Sequence, residues 1–188
     1  KKALIKLMRS LKHSKKNNRK LAPNIMKMIT RSNEIGCWVA TCILSKSDLE
    51  ERAKLLKKFI KLAKVLDRLN NFTTLIDVMS GINCNPVHRL KNTWAALPEK
   101  SLAKFKQLQE LINPRKSFAN LRNAVKERPP PCIPSLGIYL TDITFIEDGN
   151  RDMIDGLINF SKRRLLGTVI MDLQTHQQSR YTFEGLQS

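Results

Sequence analysis

Long apolar runs are missing from this chain of 188 residues. No stretch approaches the ~18–20 residues that a helix needs to cross a bilayer, which excludes a membrane-spanning reading. Cysteine is sparse, and Cys37, Cys42, Cys84 and Cys132 form no CxxC pair. Such spacing builds neither a zinc site nor a disulfide framework, and it suits a reducing compartment. The three histidines, His13, His88 and His176, form no HExxH, so the zinc-hydrolase pattern is also absent. Neither GxGxxG, the phosphate loop GxxxxGKS/T nor the nucleophile elbow GxSxG occurs. The adjacent acids Glu147 and Asp148 would diverge on a helix and make no acid–base couple. The N-terminal segment is basic but lacks a clean apolar core, so no signal peptide is expected.

Acid is absent from residues 1–33, which carry eleven Lys or Arg. The net charge of +18 is therefore concentrated there, and the remaining residues hold 23 basic against 16 acidic side chains. Three readings compete. A run of cations is commonly a solvated face. It is also the electrostatic footprint of a nucleic-acid binder, although residues 15–20 contain no aromatic ring on which a base would stack. Thirdly, a positive surface can meet an acidic protein or anionic lipid headgroups, where charge raises the encounter rate more than the affinity.

Helical spacing dominates what is present. Leu4, Leu7, Met8 and Leu11 make a first stripe, and residues 12–21 interrupt it with a polar, basic loop. Pro23 sits where helices begin, followed by Ile25, Met28, Ile29, Ile35, Trp38 and Cys42. Ser47 and Glu50 read as a capping box with Ser47 at the N-cap. The next helix carries Leu49, Ala53, Leu56, Ile60, Ala63 and Leu69 on one side. Its other side holds Lys54, Lys57, Lys58, Lys61 and Lys64. Thr73 or Thr74 is expected to cap a helix through Ile76, Met79 and Ile82 that ends in a turn at residues 83–86. Pro98 opens another, with Leu102, Phe105, Leu108 and Leu111, and Pro114 stops it. Phe118, Leu121 and Val125 predict a short helix, ended by Pro129, Pro130 and Pro131. Residues 138–146 favour strand by propensity but neither alternate nor have an obvious partner. Gly149 and Asn150 predict a turn before a long helix from about residue 152 to 177. The pattern predicts an all-α single domain of about eight helices.

Several separated motifs together resemble the catalytic domain of Ras-type guanine-nucleotide exchange factors. They are Asn70, Asn71 and Phe72; Ser80, Gly81, Ile82 and Asn83; and Pro86 through Trp94 (PVHRLKNTW). Further pieces follow in family order: Pro130 to Pro134 (PPCIP), Gly137 to Asp142 (GIYLTD), Phe145 to Asn150 (FIEDGN) and Ile158 to Arg164 (INFSKRR). The resemblance covers about residues 15–180, and its Asn159-to-Arg164 run is more similar to exchangers of Ras proper, the son-of-sevenless and Ras-releasing-factor type, than to those of Rap or Ral. Residues 1–13 match the family's start only loosely, so the resemblance implies a domain shortened at that end within 1–188.

The resemblance implies an all-helical domain that opens the nucleotide pocket of a Ras-family small GTPase, with no covalent chemistry and no cofactor. A helical hairpin, here residues 138–174, would pry one switch segment away while a shallow apolar bowl holds the other. By alignment Ile29, Ile76 and Phe118 line the bowl, and Ser135 stands where the family commonly has an aromatic, with Leu136 as a partial substitute. Asn83 would hydrogen-bond the second switch, Ser80 lies one turn earlier, and His88 would also touch the GTPase. On the hairpin, Thr144 matches a position near the magnesium site where the family tends to present an apolar side chain, Asp148 matches an acidic residue near the phosphate-binding loop, and Thr141 would be a further contact. Arg89 would tie its turn to a neighbouring helix, and Asn159, Phe160 and Lys162 would set the hairpin's tilt. Each bowl residue also fits plain core packing, and Asn83 also fits a turn before Pro86. The implied location is cytoplasmic, with recruitment to the inner face of the membrane through a lipidated GTPase or a basic patch. Two other readings stand beside this one: a degenerate exchange domain that binds a GTPase without releasing nucleotide, and a basic helical nucleic-acid binder.

Overall fold

The computed structural model describes residues 22–182. The stripe and basic loop expected over residues 4–21 lie outside the described residues. Nine helices and one two-stranded ribbon occur among the described residues, so the fold is all-α. They divide into two compact units, residues 29–134 and residues 22–28 with 135–182.

In the first unit the helices are α1 (Pro23–Leu44, which enters from residue 29), α2 (Leu49–Arg68), α3 (Phe72–Asn83), α4 (Asn85–His88), α5 (Lys91–Ala95), α6 (Glu99–Leu111) and α7 (Arg115–Glu127). Helix α2 is the hub, packing on α3, α5 and α6. It buries Ala53, Leu56, Phe59, Ile60, Ala63 and Leu66 at helical spacing, each large side chain contributing about 1.5–3 kcal/mol. Its cap is Asp48 rather than Ser47: the Glu51 amide donates to Asp48 Oδ2 at 2.8 Å. The Ser47 carbonyl instead accepts from the Arg52 guanidinium, whose Nε donates to Thr93 Oγ1 at 2.8 Å and so fastens α2 to α5. Helices α1 and α3 approach closely at two glycines. A Cβ on Gly81 would lie 2.5 Å from the Gly36 carbonyl oxygen and 2.7 Å from Val39 Cβ, so only glycine fits.

The Asn70, Asn71 and Phe72 triplet clamps the proline-rich connector. Asn70 ends α2 in a left-handed conformation (φ 53°), a role to which Asn is suited. Its side-chain amide donates to the Pro129 carbonyl at 3.0 Å, and its own carbonyl accepts from Ile133 N at 2.9 Å. Asn71, not Thr73 or Thr74, caps α3 by accepting from Thr74 N. Thr73 is used elsewhere, donating to the Pro134 carbonyl at 2.7 Å. Arg128 stacks over the Phe72 ring at 5.2 Å.

Helix α7 departs from the expected regular helix. Lys116, Ser117 and Phe118 have φ of 50°, 55° and 61°, so the right-handed helix begins only after Phe118. Each left-handed residue that is not glycine costs roughly 1–2 kcal/mol, and local bonds offset part of this. Asn113 Oδ1 accepts from Arg115 N at 3.0 Å, and Arg122 Nε donates to the Ser117 carbonyl at 2.7 Å.

The second unit contains α8 (Leu136–Gly149), β1 (Met153–Ile154), β2 (Leu157–Ile158) and α9 (Phe160–Thr175). Residues 138–146 are helical despite their strand propensity because a tertiary core decides. Ile143 and Leu166 are buried together, with Ile146 and Val169 packed against them. The Tyr139 hydroxyl donates to Asp172 Oδ2 at 2.7 Å, so α8 and α9 run antiparallel. The long helix does not begin near residue 152 but at Phe160. Asp155 and Gly156 (φ 49° and 77°) make a tight turn that pairs Met153 with Ile158 and Ile154 with Leu157, as Asp-Gly turns favour.

Asp67 joins α2 to the connector and yields a pH signature. Lys64 and Arg128 both reach its carboxylate at 2.7 Å. Burial pushes the carboxyl up, and the bonds from Lys64 and Arg128 outweigh it, leaving its pKa below the ordinary 3.8. The stability it contributes is therefore full above the unfolded value and is lost as pH falls through the lower folded value. Asp67→Ala is expected to cost about 3 kcal/mol in urea unfolding at neutral pH, because two cations lose a buried partner. The deficit should shrink as pH falls through the lowered folded value.

Candidate functional site

Ile76, Ser80 and Asn83 fall at i, i+4 and i+7 on α3, which places them on one helix face. The opposite face of α3 is core, with Phe72, Leu75, Val78, Met79 and Ile82 buried. Ser80 is exposed and Ile76 and Asn83 are half-buried. Asp77, between them, is buried; burial raises its carboxyl pKa and the neighbouring Ser32 hydroxyl on α1 offsets part of the shift.

Asn83 is held by a residue that its sequence position gives no reason to single out. Gln109 on α6 donates from Nε2 to Asn83 Oδ1 at 3.1 Å. With that oxygen engaged, the Asn83 Nδ2 is left as a donor for a partner. Gln109 also borders a cleft of about 360 Å³ lined by His88, Lys91, Trp94 and Phe105. The Trp94 and Phe105 rings meet at 4.8 Å, and Trp94 Nε1 donates to the Val87 carbonyl at 2.9 Å, which fixes the cleft wall. His88 is exposed at the end of α4. Arg89 does not make the expected tie: it caps α4 through its backbone amide, and its exposed side chain makes no hydrogen bond or ion pair among the described residues. Ile29 is exposed on α1, and Phe118 is half-buried in the left-handed turn before α7.

In the other unit, Thr141, Thr144 and Asp148 lie at i, i+3 and i+7 on α8, and all three are exposed. Both threonine hydroxyls bond back into their own helix, Thr141 Oγ1 to the Gly137 carbonyl and Thr144 Oγ1 to the Leu140 carbonyl, each at 2.9 Å. The donor of each hydroxyl is spent on its own helix, so each offers its γ-methyl and the remaining acceptor lone pairs. Phe145 lies on the same stripe at i+4 from Thr141 and is 70% exposed. The sequence pattern places Phe145 within a motif but does not reveal that its ring is exposed on a helix face. Ser135 occupies the N-cap position of α8 without a side-chain cap bond, and both Ser135 and Leu136 are half-buried.

The root of this pair of helices is an ion cluster. Lys162 is 1% exposed, and its ammonium meets Glu147 Oε2 at 2.8 Å and Asp152 Oδ1 at 2.9 Å. It also donates to the Glu147 and Asn150 carbonyls at 3.2 and 3.0 Å. Burial alone would lower the Lys162 pKa; the bonds to Glu147 and Asp152 outweigh it and hold the pKa above the ordinary 10.5. Asn159 caps α9 by accepting from Lys162 N at 3.1 Å and donates to the Arg151 carbonyl at 2.9 Å. Phe160 takes no part in this support: it opens α9 and is 77% exposed. Of the neighbouring acids, Glu147 is consumed by Lys162, whereas Asp148 has no bonded partner among the described residues. No group of three or more metal-ligating side chains occurs among the described residues.

Known proteins resemble this chain over most of its length. A family model described as RasGEF domain matches residues 4–164. Ras guanine nucleotide exchange factor Y of Dictyostelium discoideum is 43% identical over 175 residues, which is 93% of this chain and 12% of that protein. Factor R of the same organism is 44% identical over 163 residues, 86% of this chain and 9% of that protein. Factor J is 42% identical over 164 residues, 87% of this chain and 20% of that protein. The chain thus spans a fifth or less of the length of these relatives.

The buried cluster makes a separable prediction. Lys162→Met should destabilise the chain by about 1–3 kcal/mol, because the half-buried Glu147 carboxylate and the Glu147 and Asn150 carbonyls lose their charged donor. Hydrogen exchange should quicken first at the α8 C-terminus and the ribbon. Adding Glu147→Gln should recover part of the loss, and a strictly additive double variant would refute the coupling.

Proposed function

Because the chain belongs to the RasGEF domain family, we propose that it is a guanine-nucleotide exchange domain that binds a Ras-family small GTPase and releases its GDP. Ras proper is the favoured substrate over Rap or Ral, on the similarity of the Asn159-to-Arg164 run. The whole of residues 1–188 serves as the exchange domain, with residues 138–174 as its helical hairpin. It works in the cytoplasm and reaches the inner face of the membrane with its GTPase.

The observation that carries this reading is the unpaired Asp148 carboxylate on the exposed stripe of α8, beside an acid already neutralised by Lys162. A carboxylate brought to a phosphate-binding loop repels the phosphates and accepts the amide hydrogens that they leave behind. The Thr141 and Thr144 methyls and the Phe145 ring supply apolar surface next to the magnesium site. Ile29, Ile76 and Phe118 hold the second switch, and Asn83 donates to it from an amide oriented by Gln109.

Energetics define the task. A nucleotide held at picomolar strength is held by ~16 kcal/mol, and no single contact offsets that. The exchanger instead binds the emptied GTPase, and the coupling is reciprocal: nucleotide entry expels the exchanger by the same free energy. No covalent bond changes, so direction comes from the cellular excess of GTP.

The test is fluorescent-GDP release from Ras, Rap and Ral proteins with the 188-residue chain. Release should be fastest with Ras, and binding of the empty GTPase without release would identify a scaffold instead. Asn83→Ala should slow release about tenfold, the value of one hydrogen bond of ~1.4 kcal/mol, with only a small shift of the unfolding midpoint, since the bond lost to Gln109 is solvent-exposed. Unaltered release would remove Asn83 from the site. Asp148→Lys should reduce release far more than capture of the empty GTPase, and an equal loss of both would mean that α8 only docks.

A further inference from the structure

Helix α2 turns its buried face to the core and presents a second, organised face outward. Lys54, Lys57, Lys58, Lys61 and Arg68 are all exposed, and they extend over about 21 Å at 1.5 Å per residue. Lys57, Lys61 and Arg68 follow one ridge at i, i+4 and i+11. The neighbouring ridge starts with Lys58 and continues through Leu62, Val65 and Leu69, which are 39%, 40% and 37% exposed. Acid on this helix lies at its ends. Glu50 and Glu51 occupy the first turn, and Glu50 reaches Lys54 at 3.6 Å. Asp67 is buried and already carries two cations. Lys57, Lys58, Lys61 and Arg68 face no carboxylate within salt-bridge distance among the described residues.

We propose that this face of α2 is a peripheral contact for an anionic lipid surface. The reading goes beyond nucleotide exchange and does not depend on it. Three observations select lipid among anionic partners. First, the cationic ridge runs beside an apolar one, so headgroups and the acyl boundary are both matched. Secondly, α2 offers no exposed aromatic for base stacking and no Ser, Thr, Asn, Gln or His for reading base edges. Thirdly, four of the five cations are lysines. A hydrated ammonium on a flexible stem suits a diffuse field of headgroups, whereas lysine is depleted where proteins bury surface against each other.

The test uses the 188-residue chain and sedimenting vesicles of phosphatidylcholine, with and without 30% phosphatidylserine. Binding should require phosphatidylserine and fall with added salt. Combined Lys57→Ala, Lys58→Ala and Lys61→Ala should lower partitioning on the order of 100-fold, about fivefold for each cation. A charge-matched control, Lys100→Ala with Lys106→Ala and Lys126→Ala, removes exposed cations on α6 and α7 and should lower it by no more than about threefold. Leu62→Ser with Val65→Ser should weaken vesicle binding while leaving binding to a duplex DNA probe unaltered. GDP release in vesicle-free solution should be the same for all these variants. Equal losses in the two lysine triples would overturn the proposal, because net charge alone would then explain binding. So would vesicle binding indifferent to Leu62 and Val65, or a duplex probe bound more tightly than the vesicles.

Discussion

The Lys162 ammonium is withdrawn from water at the base of α8 and α9, and the geometry of that unit depends on how it is paid back in contacts. Two carboxylates and two backbone carbonyls surround it. The carbonyls belong to the C-terminal end of α8, where four acceptors lack intrahelical partners and the helix dipole is negative. A cation from α9 therefore closes the end of α8, and Asn150 completes the closure by donating to the Ile146 carbonyl at 2.9 Å. The same lysine has its own amide capped by Asn159, which also fastens the ribbon through Arg151. One side chain thus fixes the end of one helix and the beginning of the next. The register of α8 follows, and with it the identity of the stripe that remains outside.

A division of labour results within pairs of similar groups. Glu147 and Asp148 are adjacent acids, but only Glu147 lies where Lys162 can take it, so Asp148 keeps its charge uncommitted. Asn83 and Gln109 show the same principle with amides. Gln109 occupies the acceptor of Asn83, and the donor remains. In both cases a structural contact removes one option and so defines what its neighbour has to offer. Thr141 and Thr144 extend the idea, since each spends its hydroxyl hydrogen on its own helix and keeps a methyl and an acceptor oxygen for use. Orientation of this kind lowers the entropy that a partner would otherwise have to supply on binding.

Much of this was legible in the sequence because it rests on local rules. Helical spacing, the prolines at 23, 98 and 114, and the separated motifs identified the helices and the family resemblance. What escaped depended on contacts between distant residues or on competition between neighbours. Ser47 and Asp48 are both good caps, and the Arg52 bonds to the Lys46 and Ser47 carbonyls accompany the choice of Asp48. Asn71 outcompetes Thr73 because Pro134, 61 residues away, claims the threonine hydroxyl. The strand-like composition of residues 138–146 yielded to packing against Leu166. Asp155 and Gly156 did carry a readable hairpin signal, but Gly149 and Asn150 supplied a stronger-looking turn just before it. The left-handed run at Lys116 to Phe118 has no glycine or asparagine to announce it. Gln109 and Phe145 were beyond reach for a simpler reason: one matters through a partner 26 residues earlier, the other through exposure.

The placement of stabilising contacts also bears on what an exchange domain must do. Reciprocal coupling requires that contacts with the partner be made and broken repeatedly without loss of the fold. Residues that both hold the core and grip the partner would link the two events. Here the strong structural contacts lie elsewhere: Asp67 with its two cations, Asn70 on the proline connector, Gly81 against Gly36, Lys162 at its cluster. The residues proposed to meet the GTPase, among them Ile29, Ser80, Thr141, Phe145 and Asp148, are exposed and carry little of that burden. Phe118 is the exception, because its ring sits in a turn whose backbone is held in an unfavourable region by bonds to Asn113 and Arg122. Strain retained at such a position is stable only while its surroundings over-determine it, so a rigid scaffold around an otherwise dispensable surface is what allows a costly residue to stay in place.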